Sequence, residues 1–290
     1  MVSIQEEIAS QPVVWRLAVE AARECAAELP AAGERVAMIG CGTSHYIGQS
    51  IATLRESRGL GETDAFTASE FPPGRDYARV IAITRSGTTT EVIRALEETD
   101  VPSLALTAVA DAPVARVAGE TIALGFADEE AVVQTRFATA ALAFCRTWLG
   151  FADDVDSAAI DVERGNGAPE GVTGFDHFVF LGVGDTVGLA REAALKLEES
   201  AGVWTEAFPA MEYRHGPITA AGPGTLVWPL GPVDGAVLSA AEATGATVAP
   251  AGSDALVELV SIQRAAVELA VSRGRDPNFP EHLTRSVVLG

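Results

Sequence analysis

A chain of 290 residues can form one large domain or two domains of about 100–150 residues, each with its own hydrophobic core. The formal net charge of −20 argues against binding to nucleic acid or to an anionic membrane, because both partners favour a basic protein surface. Cys25, Cys41 and Cys145 are too few and too widely spaced for a disulfide framework or a metal cluster, and no apolar run reaches the ~18 residues of a membrane span.

The N-terminal stretch, MVSIQEEIASQPVVW, is acidic and lacks the basic and apolar segments of a signal peptide, so we expect a cytoplasmic protein. After it, apolar runs alternate with amphipathic stretches, which is typical of an α/β fold with parallel strands. In the first half we predict strands at residues 35–39, 80–84, 103–107 and 120–124. Predicted helices cover residues 44–58, 89–98 and 132–149.

An acidic stretch that contains glycine, residues 150–174, separates this half from the next, and residues 165–174 have the composition of a linker. The second half repeats the opening motif, since RVAMIGCGTSHYIGQSIATLRE and HFVFLGVGDTVGLAREAALKLEE share a strand, a Gly-x-Gly turn and a helix. The repeat predicts two similar nucleotide-fold-like subdomains, which we place at residues 1–152 and 175–290 with a connection at 153–174. Later predicted elements are a helix that begins at about Val187, strands at 225–230 and 247–250, and helices at 234–244 and 254–272.

The two Gly-x-Gly turns do not complete a dinucleotide-binding fingerprint. His45 and Val187 stand where its third glycine belongs, and no clear acidic partner for a ribose follows. For the second turn, a simple tight connection between strand and helix is as good an interpretation as ligand binding. We therefore do not expect a nicotinamide cofactor.

The segment TRSGTTTEVIRAL, which begins at Thr84, follows an apolar strand and opens a helix. Backbone N–H groups at a helix N-terminus favour an anion, and hydroxyl groups and the Arg85 side chain surround them. An ordinary helix cap explains one Ser or Thr residue, but not this density of hydroxyl groups. The segment therefore predicts a phosphate site.

Lys196 is the only lysine among twenty basic residues. Glu192, Lys196 and Glu199 lie on one face of the predicted helix, beside an apolar stripe. A solvated ladder of salt bridges is the simpler interpretation of that spacing. A surface ladder tolerates arginine, however, whereas a buried ammonium can have a lowered pKa and a neighbouring carboxylate can act as a base on carbon.

His215 precedes Gly216-Pro217 in WTEAFPAMEYRHGP, which predicts a position at the C-terminus of a helix. A histidine that caps carbonyl groups is a common alternative to a functional one there. His45, His177 and His282 have no comparable setting, and we interpret them as structural or exposed.

Four segments in this order, GCGTS, TRSGTTTE, EAALKLEES and TEAFPAMEYRHGP, resemble the sugar isomerase (SIS) domain family. The resemblance covers nearly the whole chain and is strongest to the isomerase half of glucosamine-6-phosphate synthase and to stand-alone phosphosugar isomerases, deaminases and deglycases. It implies two tandem SIS subdomains, each a flavodoxin-like three-layer sandwich with a parallel sheet, no cofactor, and a homodimer. It also implies that the first subdomain binds a sugar phosphate.

The resemblance implies catalytic roles for four residues. Glu199 matches the base that moves a proton between C1 and C2, Lys196 a lysine that stabilises the intermediate, and His215 the histidine that opens the sugar ring, often from the neighbouring subunit. Arg285 stands where the synthase has a lysine that forms a Schiff base, and a guanidinium cannot form that adduct. The implied substrate-binding residues are Cys41, Gly42, Thr43, Ser44, Thr84, Arg85, Ser86, Thr88, Thr89, Val132 and Gln134.

Three departures from the synthase pattern limit the reaction. The chain begins Met1-Val2 and is too short for a glutaminase domain, so glutamine-dependent synthesis is not expected. Trp204 replaces a polar residue, and Arg85 replaces a neutral amide in the phosphate loop. The prediction is an enzyme that moves a C1/C2 proton on a hexose or amino-hexose 6-phosphate, with ammonia release where the sugar carries a 2-amino group.

Two alternatives stay open at this point. A deglycase of a sugar phosphate joined to an amino acid would need an extra cation in the pocket, for which the sequence offers no unique candidate. A non-catalytic sugar-phosphate sensor usually carries a DNA-binding domain, and the acidic N-terminal region of about thirty residues is too short for one. Metal catalysis has no ligand cluster to support it.

Overall fold

The computed structural model describes residues 3–165, 171–250 and 252–289, and its framework is two parallel β-sheets. The first sheet has the order β2-β1-β3-β4-β5, and the second has the order β7-β6-β8-β9. The strands are β1 (Val36–Gly40), β2 (Thr63–Thr67), β3 (Arg79–Thr84), β4 (Ser103–Thr107), β5 (Glu120–Ala123), β6 (His177–Gly182), β7 (Trp204–Pro209), β8 (Thr225–Leu230) and β9 (Thr247–Val248).

Helices cover both faces of each sheet, and several of them share a central layer between the sheets. The helices are α1 (Ile4–Ala9), α2 (Gln11–Glu24), α3 (Thr43–Ser57), α4 (Thr90–Glu97), α5 (Arg136–Trp148), α6 (Ala152–Glu163), α7 (Thr186–Ala201), α8 (Gly235–Glu242) and α9 (Ala255–Ser272). Among the described residues, no helix is long and apolar enough to cross a membrane.

Alternate residues of the inner strands enter different cores. Met38 and Ile81 face the central layer, which also contains Phe178 and Trp228 from the second sheet. Their neighbours in sequence, including Ile39, face the outer core under α4. Strands buried on both faces need continuous apolar runs, which is the pattern that the sequence shows.

Most predicted elements are confirmed. The strands at residues 103–107 and 225–230 have the predicted bounds, and the helices predicted at 44–58, 89–98 and 254–272 differ by at most one residue at either end. The helix predicted from about Val187 begins at Thr186. The predicted α/β fold with two parallel sheets is therefore correct. The predicted linker at 165–174 falls partly on residues 166–170, which lie outside the described residues.

Several elements have no counterpart in the prediction. No element is predicted before residue 35, yet α1 and α2 lie there, and Pro12 occupies the first turn of α2, where proline is tolerated. The prediction does not include β2 and β7. Each is an edge strand of its sheet and is only partly buried, so neither has a continuous apolar run. The helix predicted at 132–149 begins only at Arg136, and the preceding residues form a loop.

Candidate active site

The two predicted substrate loops lie side by side in the fold. Strands β1 and β3 are neighbours and parallel, so their carboxyl ends meet at one edge of the first sheet. After β1 the chain turns sharply into α3, because Gly40 lies so close to the first turn of α3 that an added Cβ would approach the backbone of Ser44 to 2.8 Å. After β3 it passes through a loop to Thr89, the N-cap residue of α4.

A cavity of about 180 Å³ lies at this edge. It is bounded by the two loops, by the segment before α5, by the end of α7 and by the C-terminal segment 279–289, which we call the tail. Its lining residues are Cys41, Gly42, Thr43, Arg85, Thr89, Val132, Gln134, Glu199, Leu283, Thr284, Arg285, Ser286 and Val287. Nine of the fifteen predicted site residues are therefore in its wall.

Close packing of two helices brings Glu199 to this cavity. Gly188 of α7 lies against α3, where an added Cβ would approach the Tyr46 carbonyl oxygen to 2.6 Å and the Ser50 nitrogen to 2.7 Å. Arg191 donates a hydrogen bond to Gln49 of α3 at 2.7 Å. The two helices thus run antiparallel, and the end of α7 meets the start of α3.

The predicted Lys–Glu pair forms a buried cluster with Thr43. The Lys196 Nζ atom donates to Glu199 Oε2 at 2.5 Å and to Thr43 Oγ1 at 2.9 Å, and lies 3.5 Å from Glu192 Oε1. The Lys196 and Glu192 side chains are each 1% exposed, whereas the Glu199 side chain is 21% exposed. The solvated salt-bridge ladder is therefore wrong, and only Glu199 of the three reaches the cavity wall.

The electrostatics of this cluster correct one expectation. Burial alone would lower the Lys196 pKa, but the Glu192 and Glu199 carboxylates outweigh it and raise the pKa. Lys196 is therefore a fixed positive charge and not a lysine with a lowered pKa. Burial raises the pKa of Glu192 to about 7, although the Lys196 ammonium opposes the shift.

Arg85 lines the cavity, but its guanidinium is not a free cation for an anion. It is buried, lies 3.5 Å from Glu129 Oε1, and donates to the carbonyl oxygens of Ala131, Val132 and Arg285 at 3.0, 3.1 and 2.7 Å. The prediction that its side chain adds positive charge to a phosphate loop therefore needs correction. The acidic partner and the three carbonyl groups contact its two terminal nitrogens, whereas its buried Nε atom has no hydrogen-bond partner among the described residues.

Arg285 also has partners within the chain. Its guanidinium forms an ion pair with Asp128 and donates to the Glu129 carbonyl oxygen at 2.7 Å. The tail is further attached to the loop after β3 and to the start of α4, since Thr88 donates to Ser286 at 2.9 Å and the Thr90 N–H donates to the Val287 carbonyl at 3.3 Å. The tail thus covers one side of the cavity.

The remaining predicted binding residues lie in or beside the two loops. The Thr88 N–H donates to the Ser86 hydroxyl oxygen at 3.2 Å, and the Thr88 and Ser86 hydroxyl oxygens lie 2.9 Å apart. Ser44 is buried in the first turn of α3. The Thr84 hydroxyl and the Gln134 amide oxygen have no hydrogen-bond partner within the described part of the chain. Unpartnered polar atoms of this kind suit a site that receives a polar ligand.

His215 does not line this cavity. It ends a single 3-10 turn after β7, Glu212–His215, and is exposed beside the second sheet. The predicted position before a helix stop is confirmed in this short form, with Gly216 as the following residue. Trp204 also lies away from the cavity, where it stacks on His177 with ring centroids 4.3 Å apart.

The sequence gives little signal for the other cavity residues. Asp128 and Glu129 hold the two arginines, and the tail contributes Leu283, Thr284, Ser286 and Val287 to the wall. The only sequence signals for these segments are the adjacent acidic residues Asp128 and Glu129 and the end of the helical apolar periodicity after residue 272. A groove of about 390 Å³ between α1 and α9 is larger and is lined by Arg264 and Glu268, but no hydroxyl group is among its described lining residues.

Metal ligation has no visible basis in this arrangement. Within residues 3–165, 171–250 and 252–289, no group of three or more His, Cys, Asp or Glu side chains could hold a metal ion. Burial, with a contribution from Glu91, raises the pKa of Cys41 to about 11, so that residue lines the cavity as a thiol and not as a thiolate.

Comparison with curated proteins finds relatives that share part of their length with this chain. Glutamine–fructose-6-phosphate aminotransferase (isomerizing) from Sulfurisphaera tokodaii is 28% identical over 88% of this chain and 50% of its own length. The enzyme of the same name from Pseudomonas aeruginosa is 27% identical over 91% of this chain and 53% of its own. The chain thus spans about half the length of these relatives. No family model matches it.

Solved structures with the same fold cover nearly the whole chain. Glucosamine-6-phosphate deaminase from Thermotoga maritima has a TM-score of 0.80 and 25% identity, over 98% of this chain and 99% of its own. Tagatose-6-phosphate ketose/aldose isomerase from Escherichia coli has a TM-score of 0.74 and 21% identity, over 98% and 95% of the two chains. The first neighbour adds sequence similarity to the shared fold, and the second shows the fold alone.

Proposed function

Because the chain belongs to the sugar isomerase (SIS) family, we propose that it is an enzyme that moves a proton between C1 and C2 of a hexose or amino-hexose 6-phosphate. The observation that carries the proposal is the Lys196–Glu199–Thr43 cluster at the wall of the cavity. It combines a carboxylate that faces the cavity with an ammonium fixed behind it. This pairing suits a reaction in which a carboxylate removes a proton from carbon while negative charge develops on a nearby oxygen or nitrogen of the substrate.

The phosphate group is best accommodated by the loop after β3. Thr89 caps α4 but makes no capping hydrogen bond with its side chain, so its hydroxyl is available to a ligand. The positive end of the α4 dipole and the Thr84 hydroxyl add further attraction. Because Arg85 is occupied elsewhere, backbone N–H groups and hydroxyls would hold the phosphate.

The open-chain sugar would then extend from the phosphate loop towards Glu199. In an aldose, the Glu199 carboxylate removes the C2 proton, and the electron pair forms an enediolate with the charge on the C1 oxygen. A proton then passes from the C2 hydroxyl to the C1 oxygen, and the same carboxyl group returns its proton to C1 to give the ketose. The Lys196 ammonium lies behind the cavity wall, so it acts on the developing oxyanion through the Thr43 hydroxyl, which accepts from Lys196 and lines the cavity. No cofactor is required for this exchange.

Ammonia release is the second candidate reaction, and the similarity to glucosamine-6-phosphate deaminase favours it. With a 2-amino sugar, loss of the C2 proton gives an enolamine, and protonation at C1 gives an imine at C2. Water then adds to the imine carbon and ammonia leaves. Glucosamine 6-phosphate and water would thus yield fructose 6-phosphate and ammonia. A deglycase would follow the same steps with an amino acid as the leaving amine.

We further propose a homodimer in which His215 serves the site of the other subunit. The residue is exposed and lies outside the cavity of its own chain, and opening of a sugar ring needs an acid–base group near the ring oxygen. A protein that only senses sugar phosphates would not need the buried cluster, so we place that function below the enzymatic ones.

Proton NMR of fructose 6-phosphate in D2O tests the function. With the purified protein, deuterium should enter C1, and glucosamine 6-phosphate should appear only when ammonium is added. The matched Glu199→Gln variant should give neither signal. Absence of exchange at near-stoichiometric protein, with fructose 6-phosphate and with tagatose 6-phosphate, would remove proton transfer on these sugars from consideration.

A further inference from the structure

The Arg85 side chain connects three segments that are far apart in sequence. Its Nη1 atom lies 3.5 Å from Glu129 and donates to the Ala131 carbonyl oxygen at 3.0 Å. Its Nη2 atom donates to Val132 at 3.1 Å and to the Arg285 carbonyl at 2.7 Å. The guanidinium therefore binds the backbone of the loop before α5 and the backbone of the tail at the same time.

These contacts require the planar fork of arginine. One side chain must reach carbonyl oxygens on two segments while its charge stays compensated, and the Arg85 and Glu129 side chains are 1% and 0% exposed. A lysine would offer a single ammonium nitrogen in place of two guanidinium nitrogens. Glu129 is itself fixed, since its Oε2 atom accepts from the N–H groups of Thr135 and Arg136 at 3.0 and 2.9 Å.

We propose that Arg85 is a positioning residue that holds the tail over the cavity and couples the tail to the occupancy of the phosphate loop. The proposal rests on the proposed function in one respect, namely that the cavity receives a phosphorylated ligand. Arg85 lies between Thr84 and Ser86, so an anion held by that loop restrains the residue that binds the tail. Thermodynamic linkage makes this coupling reciprocal: the factor by which the ligand favours the closed tail is also the factor by which the closed tail strengthens ligand binding.

Hydrogen–deuterium exchange of the full chain, followed by mass spectrometry, measures the order of the tail. The reporter is the peptide that covers residues 279–289, where the Leu289 N–H donates to Thr90. The probes are inorganic phosphate and, separately, fructose 6-phosphate. Variants are Arg85→Gln, Arg85→Lys and the double variant Arg85→Gln/Glu129→Gln. Arg16→Gln is the control, because Arg16 forms an exposed ion pair with Glu163.

In the wild-type protein and in Arg16→Gln, we expect both probes to slow exchange of the tail. In Arg85→Gln, exchange without a probe should be on the order of tenfold faster, because a hydrogen bond from a charged donor is lost, and the probes should no longer protect the tail. Arg85→Lys should not restore protection. If α9 also exchanges faster in Arg85→Gln, the unpaired Glu129 has destabilised the whole chain. The double variant removes that unpaired charge, so its tail exchange then decides whether Arg85 holds the tail.

Tail exchange equal to that of the wild type in both Arg85→Gln and the double variant would overturn the proposal. Steady-state kinetics add a second criterion on any sugar that shows turnover. A positioning role predicts a rise in KM on the order of tenfold with kcat changed by less than about threefold. The exchange experiment with inorganic phosphate needs no turnover, so failure of the proposed reaction and failure of the Arg85 proposal remain distinguishable.

Discussion

Replacement of Glu192 by glutamine should make the free energy of unfolding less dependent on pH. The Glu192 side chain is fully buried, and its Oε2 atom has no hydrogen-bond partner within the described residues. Its Oε1 atom lies 3.5 Å from Lys196 and accepts from Thr43 at 3.3 Å. Burial raises the pKa from 4.5 to about 7 in spite of the nearby ammonium. The carboxylate form is therefore the less stable one inside the protein.

The direction of the effect follows from the two pKa values. The carboxyl group ionises near pH 4.5 in the unfolded chain and near pH 7 in the folded protein. Its contribution to stability is therefore complete below pH 4.5 and is lost as the pH rises through 7. At about 1.4 kcal/mol for each unit between the two pKa values, the loss approaches roughly 3 kcal/mol, and about 2.5 kcal/mol of it falls between pH 5 and pH 8.

Urea unfolding at pH 5 and pH 8 measures this difference. The drop in unfolding free energy between the two conditions should be smaller in Glu192→Gln than in the wild type by about 2 to 3 kcal/mol. Glu20→Gln, which removes an exposed carboxylate, serves as the matched control and should leave the drop unchanged. An equal drop in the wild type and in Glu192→Gln would refute the assignment of a strongly raised pKa to this carboxyl group.

Three other variants test the site and its loop. Lys196→Arg keeps the charge but places a larger, planar group in a fully buried space, so kcat should fall at least about 100-fold, and full turnover would contradict the need for an ammonium. Glu199→Gln should lower the rate of C1 deuterium exchange about 100- to 10,000-fold, measured by NMR, with the urea midpoint as the control for folding. Gly87→Ala should destabilise the chain by about 1–3 kcal/mol, because φ is 63° and the new Cβ would lie 2.4 Å from Ala112, whereas Gly74→Ala, in open space, should be close to neutral.

The inner strands could be predicted from sequence because burial on both faces leaves a continuous apolar run. The strand Ser103–Thr107 is buried throughout, and its predicted bounds are correct. The edge strand Thr63–Thr67 is only partly buried and contains one large apolar residue, so it gives no such signal. The edge strand Glu120–Ala123 was found because an apolar run, TIAL, begins at Thr121.

Nine of the predicted site residues line the cavity, but their contacts could not be predicted from the sequence. The hydroxyl-rich loop and the Lys–Glu face appear in the sequence as local patterns, and both lie at the cavity. The pairing of Arg85 with Glu129 and with the tail depends on long-range packing, since Arg85 and Arg285 are 200 positions apart. Sequence therefore suggested a free cation where the fold supplies a buried structural link.

The internal repeat explains how the two halves divide the chemistry. When the Gly-x-Gly turns are aligned, Thr43 corresponds to Asp185, and Lys196 corresponds to Leu54. The first copy keeps hydroxyl groups at its turn, where the second has a carboxylate that would repel a phosphate. The second copy carries Glu192, Lys196 and Glu199 on its helix, where the first has the uncharged residues Ser50, Leu54 and Ser57.

Antiparallel packing of α3 and α7 joins these complementary ends. It places the start of the first helix against the end of the second, as the hydrogen bond between Thr43 and Lys196 shows. A parallel arrangement of the same two helices would bring Thr43 next to Asp185 and leave Lys196 beside Leu54. The close approach at Gly188 is therefore as important to the site as the residues that line it, because it fixes the register in which the two copies meet.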